Sequence, residues 1–356
     1  MAKAVKVALG LAISAGFLYF AFRGVDLDEL WEHVRRANYL WLLGVAVATT
    51  YSNWVRAQRW ELFFRHLKRI SHYSLFRSTM IGLAANNVMP LRMGEAVRAY
   101  SISKKEGIPF ATTFTTVILE RMLDIVMVLV FLALALFLVP IPDRIDAQIG
   151  GALRLLSAAT AGMIGVIVFL FFKRELMVRW VHACLKPLPS RIAEPFQRLF
   201  HAFMAGIEAL TDKRQLLYLL AYSLWLWTCF IVAFWCGAKS LNLDVTHDLP
   251  MMRASLLSVA LVAVFIMIPA APGFVGTFQA GCIVALGVFG VPKGEALSFS
   301  LLIHAIQFIS VNILGAYYFV GEGMSFREVQ RVEEPTAEQV ERELEVLEVP
   351  PRERQD

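Results

Sequence analysis

Residues 90–109 read PLRMGEAVRAYSISKKEGIP, and residues 272–292 read PGFVGTFQAGCIVALGVFGVP. Both stretches open with a Pro-x-x-x-Gly motif and close with a Gly-x-Pro motif inside apolar sequence. The opening proline precedes the glycine of the closing motif by 17 positions in the first stretch and by 18 in the second. Irregular backbone at membrane depth is tolerated only where it is buried in protein or lines a cavity. Paired breaks therefore indicate a duplicated segment and a transporter-type substrate site. The alternative is that Pro and Gly only mark loop ends.

Composition excludes a soluble single domain. Hydrophobic residues make up 58% of the chain and charged residues 18%, and the mean hydropathy is +0.59. These values predict an all-α, polytopic membrane protein. A span needs about 20 mainly apolar residues, and six segments meet that length: 4–22, 39–56, 108–139, 151–172, 215–237 and 295–320. We read the first as a retained helix rather than a signal peptide, because no small-residue cleavage site precedes Arg23.

Two further apolar stretches, 74–104 and 250–292, are each split near the middle by Pro and Gly. Each is predicted to be a re-entrant-type hairpin that enters the membrane and turns back. The first would enter from the cytoplasm and the second from outside, as in an inverted repeat with units at about 40–140 and 215–320. Two tilted half-length spans in each place would leave the other loops on the same sides.

Charge in the loops predicts the orientation. Lys and Arg are concentrated in the connections 56–77 and 173–214, whereas the connections 23–38 and 140–150 are richer in acidic residues. The basic connections and both termini are therefore expected on the cytoplasmic side of the cell's inner membrane. The membrane domain would cover 1–322, followed by a cytoplasmic tail at 323–356. Its last 30 residues hold ten acidic and five basic side chains, which predicts a solvated, mobile segment.

The first break brings polar side chains into apolar sequence. Arg92, Glu95 and Arg98 are spaced i, i+3 and i+6, so Glu95 can pair with either arginine while the other guanidinium stays free. A free arginine beside exposed backbone NH groups is a suitable receptor for a phosphate. The alternative is that both arginines are ordinary interfacial charges. The substrate-binding residues are predicted to include Asn86 and Asn87 as neutral donors and Gly273 and Gly276 of the second break; Pro90, Gly94 and Pro272 would form the hinges.

A second polar group lies in the long segment 108–139. Glu120, Arg121 and Asp124 would together cost roughly 8 to 10 kcal/mol if they were uncompensated near the bilayer centre. We expect them to be paired and to form a coupling or gating network; the alternative is a solvated helix edge. In the last span His304 forms a weaker polar set with Gln307 and Asn312, and it is predicted to join the gating group or to serve only as a packing hydrogen-bond partner.

Three ordered motifs resemble the signatures of the lysylphosphatidylglycerol synthase transmembrane, or flippase-like, family: RMGEAVR at 92–98, ERMLD at 120–124 and PGFVG at 272–276. The resemblance covers about residues 5–320. It implies a lipid-translocating domain, the part that moves aminoacylated phospholipid between leaflets in bifunctional relatives. The aminoacyl-transferase domain of those relatives is expected to be missing, because 36 residues follow Val320. The family's second break usually reads Pro-Gly-Gly-x-Gly with a later Glu, whereas this chain has Phe274 and Gln279.

Together these features predict a protein that binds an anionic or zwitterionic membrane lipid headgroup at the hairpin interface and helps the lipid cross. We expect no enzyme activity, cofactor, metal or nucleic-acid partner, because no nucleotide motif and no usable His, Asp and Cys grouping is present. An ion gradient or the lipid's own gradient would then drive transport. The alternatives are a partner subunit that presents lipid to a separate lipid-modifying enzyme, and an intramembrane lipid-modifying enzyme.

Overall fold

The computed structural model describes residues 2–65, 67–89, 92–139, 213–243, 251–268 and 271–325, with the single positions 158, 160, 162 and 165. Within these residues the chain is helical and has no strand, as predicted. The helices are α1 (Ala2–Phe22), α2 (Leu27–Arg36), α3 (Tyr39–Glu61), α4 (His72–Val88), α5 (Gly94–Glu106), α6 (Phe110–Leu138), α7 (Lys213–Ser240), α8 (Met251–Phe265), a 3-10 helix (Pro272–Phe274), α9 (Thr277–Val288) and α10 (Lys293–Gly321). The predicted span 151–172, apart from those four positions, the tail from 326 and Pro90 lie outside the described residues.

Three described helices are long and apolar enough to cross a membrane: α6, residues Arg214–Ser240 of α7, and α10. They coincide with the predicted spans 108–139, 215–237 and 295–320. Helices α6 and α10 have 29 residues each, so at about 1.5 Å per residue each exceeds the ~30 Å hydrocarbon core. Shorter apolar helices lie at Gly10–Phe22, Met251–Phe265 and Pro272–Val288.

The connection predicted at 56–77 starts later than expected, because α3 continues to Glu61. Arg56 and Arg59 are therefore helical, and only 9% and 0% of their surfaces are exposed. Carboxylates on α6 compensate these buried charges, which a loop position would have left solvated. The predicted connection 23–38 is also not simply a loop, since it contains α2. The Asp26 side chain caps that helix by accepting a hydrogen bond from the Asp28 backbone NH.

The two interrupted stretches form two helical hairpins with the same order of elements. The first hairpin is α4, a break at 89–93 and α5; the second is α8, a break at 266–276 that contains the 3-10 helix, and α9. Each hairpin ends at a glycine with positive φ, Gly107 at 68° and Gly290 at 80°. Two residues later a proline forms the N-cap of a 29-residue helix, α6 or α10. The prolines suit helix starts because they fix φ near −65°.

The open ends of the hairpins lie at opposite ends of α10. In the first hairpin Arg77 of α4 and Lys105 of α5 both donate to Glu322, just beyond the C-terminus of α10, at 2.9 and 2.7 Å. The second hairpin joins the N-terminus of α10 through the short connection between Val288 and Lys293. Both breaks consequently lie toward the middle of α10, where the Phe308 ring would be 2.9 Å from a Cβ added to Gly273.

Two hydrophobic cores hold this arrangement. One joins α6 through α10 and contains Phe131, Trp227, Phe278 and Phe299. The other packs α4, α5 and the first part of α6 around Trp60 and Phe64, near the end of α3. Trp60 is fully buried and its indole NH donates to Thr116 Oγ1 at 2.9 Å, so the large aromatic ring does not leave a polar atom unpaired in the core.

Candidate functional site

The first break is held by a close approach between backbones. An added Cβ on Gly94 would lie 1.9 Å from the carbonyl oxygen of Gly82, so only glycine fits there. The side chain of Asn86 accepts a hydrogen bond from the Gly94 backbone NH at 2.8 Å. Asn86 is buried, and its amide satisfies a donor that the interrupted helix would leave unpaired. Asn86 was predicted as a headgroup donor, and the structure shows it supporting the break.

The second break is held by side chains from two other segments. Ser14 of α1 donates to the Val275 carbonyl at 2.7 Å and accepts from the Ala271 backbone NH at 2.8 Å. The Gln279 side chain accepts from the Gly276 backbone NH at 2.8 Å. Both glycines predicted at this break, Gly273 and Gly276, have positive φ values of 70° and 93°. These values explain why glycine occupies the two positions.

A chain of hydrogen bonds connects the second break to α10. Because Gln279 Oε1 accepts from Gly276, its amide nitrogen is the group that lies 3.0 Å from His304 Nδ1. An amide nitrogen is only a donor, so Nδ1 accepts and the proton of a neutral ring lies on Nε2. The ring also stacks on Phe278 at 4.5 Å between centroids. His304 thereby connects α10 to the amide that supports the break.

The two breaks contact each other. The Arg92 guanidinium donates to the Ile266 carbonyl and lies over the Phe274 ring, 5.2 Å from its centroid. The Asn87 carbonyl oxygen lies 3.4 Å from the position that a Cβ on Gly273 would take. Arg92 and Phe274 both have positive φ, at 57° and 59°, which is uncommon for residues other than glycine. Arg92 is exposed, so its guanidinium is available where the hairpins meet.

Beside the first break lies an arginine–carboxylate cluster built from α3, α5 and α6. Glu120 is fully buried and lies within 3.3 Å of four guanidinium groups; Asp124 lies within 3.2 Å of three. Three arginines contact both carboxylates. The distances to Glu120 and to Asp124, in that order, are 3.3 and 3.2 Å from Arg56, 3.2 and 2.6 Å from Arg59, and 2.9 and 2.9 Å from Arg121. Arg98 contacts Glu120 alone, at 2.9 Å. The predicted pairing of the α6 charges is confirmed, and the helix-edge alternative is wrong for Glu120.

Glu95 joins the cluster from α5. It was expected to pair with Arg92 or Arg98, but its ion pair is with Arg121 at 3.7 Å. Arg98 instead faces α6, pairs with Glu120 and lies 3.7 Å from the centroid of the Trp60 ring. Only 3% of Arg98 is exposed, whereas the Arg121 and Glu95 side chains are 34% and 23% exposed. The accessible part of the cluster is therefore the part nearest the break.

The sequence analysis did not identify Ser14, Arg56 or Arg59 as site residues. Arg56 and Arg59 were counted as loop charges, yet their i, i+3 spacing matches two carboxylates one helical turn apart on α6. The cost of burying Glu120 and Asp124 was a signal that additional cations had to lie nearby. Arg59 also donates to Ser223 of α7 at 3.1 Å, so the cluster links both halves of the chain. Ser14 left no signal, because one serine is unremarkable in an apolar helix.

Comparison with known proteins identifies the family of the chain. A UPF0104 membrane protein of Methanocaldococcus jannaschii is 23% identical over 325 residues, which cover 88% of this chain and 94% of the relative. UPF0104 membrane proteins of Pyrococcus horikoshii and Methanothermobacter thermautotrophicus are each 24% identical over 334 residues; the matches cover 88% of this chain and 96% and 93% of the relatives. No solved structure matches the chain. The profile of the lysylphosphatidylglycerol synthase transmembrane region matches residues 7–315, and the chain belongs to this family of multi-pass membrane proteins.

Proposed function

We propose that this protein binds a phospholipid or related lipid headgroup where the two breaks meet and assists its passage between leaflets. The observation that carries the proposal is the contact between the breaks, midway along α10 and beside a buried charge cluster. Discontinuous helices that meet at the bilayer midplane form substrate sites in many transporters. Ionisable residues inside a membrane are expensive, and functional sites are where they usually occur.

The exposed guanidinium groups at the break are the proposed contacts for the headgroup. Arg92 binds a backbone carbonyl and an aromatic face, both of which a phosphate could replace with a stronger, charge-assisted bond. Arg121 offers a second partly exposed guanidinium on the neighbouring helix. Asn87 and the backbone around Gly273 and Gly276 complete the proposed site. We assign Arg98 to the buried network, with Glu120 and Asp124, because its guanidinium is engaged there.

The proposed transport step is a movement of one half of the molecule against the other. The opposite placement of the hairpins along α10 and their shared element order support an inverted repeat. Each hairpin would open toward one side of the membrane, and the Arg92 contact would close the path between them. The basic residues 65, 68 and 69 after α3 support a cytoplasmic location for that connection and for both termini, in the inner membrane.

The test is a lipid-crossing measurement on the purified protein in vesicles that carry fluorescent phospholipids. External quencher reports how much label has crossed. The wild type should accelerate crossing, Arg92→Lys should be slower because it loses planar bidentate geometry, and Arg92→Gln slower still because it also loses the charge. Arg36→Gln is the matched control, because Arg36 is a surface residue of α2 whose ion pair with Glu32 is solvent-exposed.

The outcomes separate transport from the alternative functions. Label that binds the protein but never crosses would support a subunit that presents lipid to a separate enzyme. A chemically altered label would support a lipid-modifying enzyme. Equal crossing rates for Arg, Lys and Gln at position 92 would remove Arg92 from the site.

A further inference from the structure

The charge balance of the site bears on the chemistry of its ligand. In the arginine–carboxylate cluster four arginines, at positions 56, 59, 98 and 121, face three carboxylates, at positions 95, 120 and 124. This leaves one positive charge in excess. Arg92 adds a second, because no carboxylate of the described residues lies within 4.0 Å of its guanidinium. A site in an apolar surrounding that holds two uncompensated positive charges favours a ligand that brings negative charge.

The unpaired hydrogen-bonding groups of the cluster also favour an anionic ligand. Several buried arginine nitrogens of the cluster have no hydrogen-bond partner among the described residues; they are the Nε atoms of Arg56, Arg59, Arg98 and Arg121 and Nη2 of Arg98. These five atoms are donors, whereas the cluster has one such acceptor, Glu120 Oε2, which lies 2.9 Å from Arg98 Nη1 in an ion pair. Buried donors without acceptors are costly. An anion supplies acceptors, whereas an ammonium group would add further donors.

Guanidinium groups outnumber the carboxylates that a cationic headgroup could meet. Glu120 and Asp124 are surrounded by guanidinium groups, and the most exposed carboxylate of the three, Glu95, already forms an ion pair with Arg121 at 3.7 Å. A quaternary ammonium can also bind an aromatic face, but the Phe274 ring at the break already lies under Arg92. The amine of a zwitterionic or aminoacylated headgroup would therefore meet Arg92 and Arg121 and would compete with Arg121 for Glu95.

We infer that the ligand is a phosphate-bearing group with net negative charge and no compensating amine. This inference rests on the proposed function and narrows its lipid class: phosphatidic acid, phosphatidylglycerol and other anionic phospholipids fit, whereas phosphatidylethanolamine, phosphatidylcholine and aminoacylated lipids do not. The same chemistry is shared by free inorganic phosphate. The phosphate would accept from Arg92 first, since that residue is exposed, and from Arg121 next.

Binding of lipids with matched acyl chains tests the inference. The full chain in detergent is titrated with fluorescent phosphatidic acid, phosphatidylglycerol, phosphatidylethanolamine and phosphatidylcholine, and inorganic phosphate is added as a competitor. The two anionic lipids should bind at least about tenfold more tightly than the zwitterionic ones. Arg92→Gln should lose most of this preference, because it removes the exposed guanidinium that meets the phosphate; Arg36→Gln should retain it. Arg92→Gln removes no ion pair, so its folding is expected to survive.

Each other outcome has a defined meaning. Equal affinity for anionic and zwitterionic lipids, or an Arg92→Gln variant that keeps the preference, overturns the inference while the proposed lipid-binding function stands. Inorganic phosphate that displaces an anionic lipid at equal concentration identifies a soluble anion as the ligand and overturns the lipid assignment. Failure to bind any of the four lipids overturns the proposed function itself, and with it the lipid class.

Discussion

The two breaks solve the same backbone problem with different side chains. In each, an amide side chain accepts from a glycine NH at the start of a helix: Asn86 from Gly94 and Gln279 from Gly276, both at 2.8 Å. The first break adds charge, through Arg92 and the neighbouring cluster. Among the described residues, the groups added at the second break are neutral: they are the side chains of Ser14 and His304. Thus the amides and glycines determine the shape of a break, and the residues around it determine the charge that a ligand meets.

The same contrast appears in what supports each hairpin. The first break is closed within its own hairpin, since Gly82 of α4 meets Gly94 of α5. The second break depends also on Ser14 of α1 and His304 of α10. We therefore expect substitutions in the first region to act through electrostatics and close packing, and those in the second to act through single hydrogen bonds.

The largest expected effect tests the charge of the first region. Glu120→Gln should lower the free energy of unfolding by about 3–5 kcal/mol, because it leaves buried guanidinium groups uncompensated. Combining it with Arg98→Met should restore part of the loss, since Glu120 is the carboxylate that Arg98 contacts. Denaturant titration in mixed micelles measures both. Glu32→Gln in the exposed pair on α2 is the control and should change stability by no more than about 0.5 kcal/mol. Simple additivity in the double variant would contradict the coupling.

The second-largest effect on stability is expected from substitutions of the closely packed glycines at the breaks. Gly94→Ala should cost about 1–3 kcal/mol or more, because its Cβ would overlap the Gly82 carbonyl. Gly276→Ala should cost less, since its nearest obstacle, the Ser14 carbonyl oxygen, is 2.8 Å away, although its φ of 93° adds strain. Gly287→Ala is the control within α9: nothing lies within 4 Å of its added methyl group. Thermal unfolding should rank the three in this order; a neutral Gly94→Ala would show that the first hairpin is loosely packed.

Loss of single hydrogen bonds should destabilise the protein by no more than Gly94→Ala does, and it should affect the second break more than the first. Asn86→Leu leaves one buried NH unpaired and should cost about 1–3 kcal/mol. Gln279→Leu should cost more than Asn86→Leu, because it also removes the bond to His304. Asn312→Leu serves as the control, since that amide bonds the Phe308 carbonyl of its own helix. A larger loss in the free energy of unfolding for Asn86→Leu than for Gln279→Leu would contradict the dependence of the second break on α10.

The smallest effect concerns the open end of the first hairpin, which Glu322 ties to α10. Burial opposes the charge on Glu322, but hydrogen bonds from Lys105 and Arg77 outweigh it and lower the pKa of this carboxyl. A lowered folded pKa contributes stability that is complete above the ordinary value of about 4.3 and is lost as pH falls through the folded value. Wild type should exceed Glu322→Gln by no more than about 1 kcal/mol at neutral pH. The difference should vanish in acid; a constant difference would contradict it.

Local signals in the sequence predicted the fold well wherever they were strong. Proline and glycine marked both breaks, and α4 and α5 begin and end within a few residues of the predicted stretch 74–104. The cost of burying charge correctly predicted pairing for Glu120 and Asp124. The partners could not be assigned in the same way, because Arg56 and Arg59 follow an apolar run and read as positive loop charges. The expected pairing of Glu95 with Arg92 or Arg98 was wrong for a related reason: helical spacing shows which neighbours can meet but not which face turns toward α6.

The bond between Ser14 and the second break has a consequence for biosynthesis. Ser14 and its partner Ala271 are separated by 257 positions in the chain. At about 5–20 residues per second, ribosomal synthesis separates their emergence by roughly 13–50 s. During that interval the α1 hydroxyl has no native partner at the second break. The native second break therefore forms late, after most of the protein has been made.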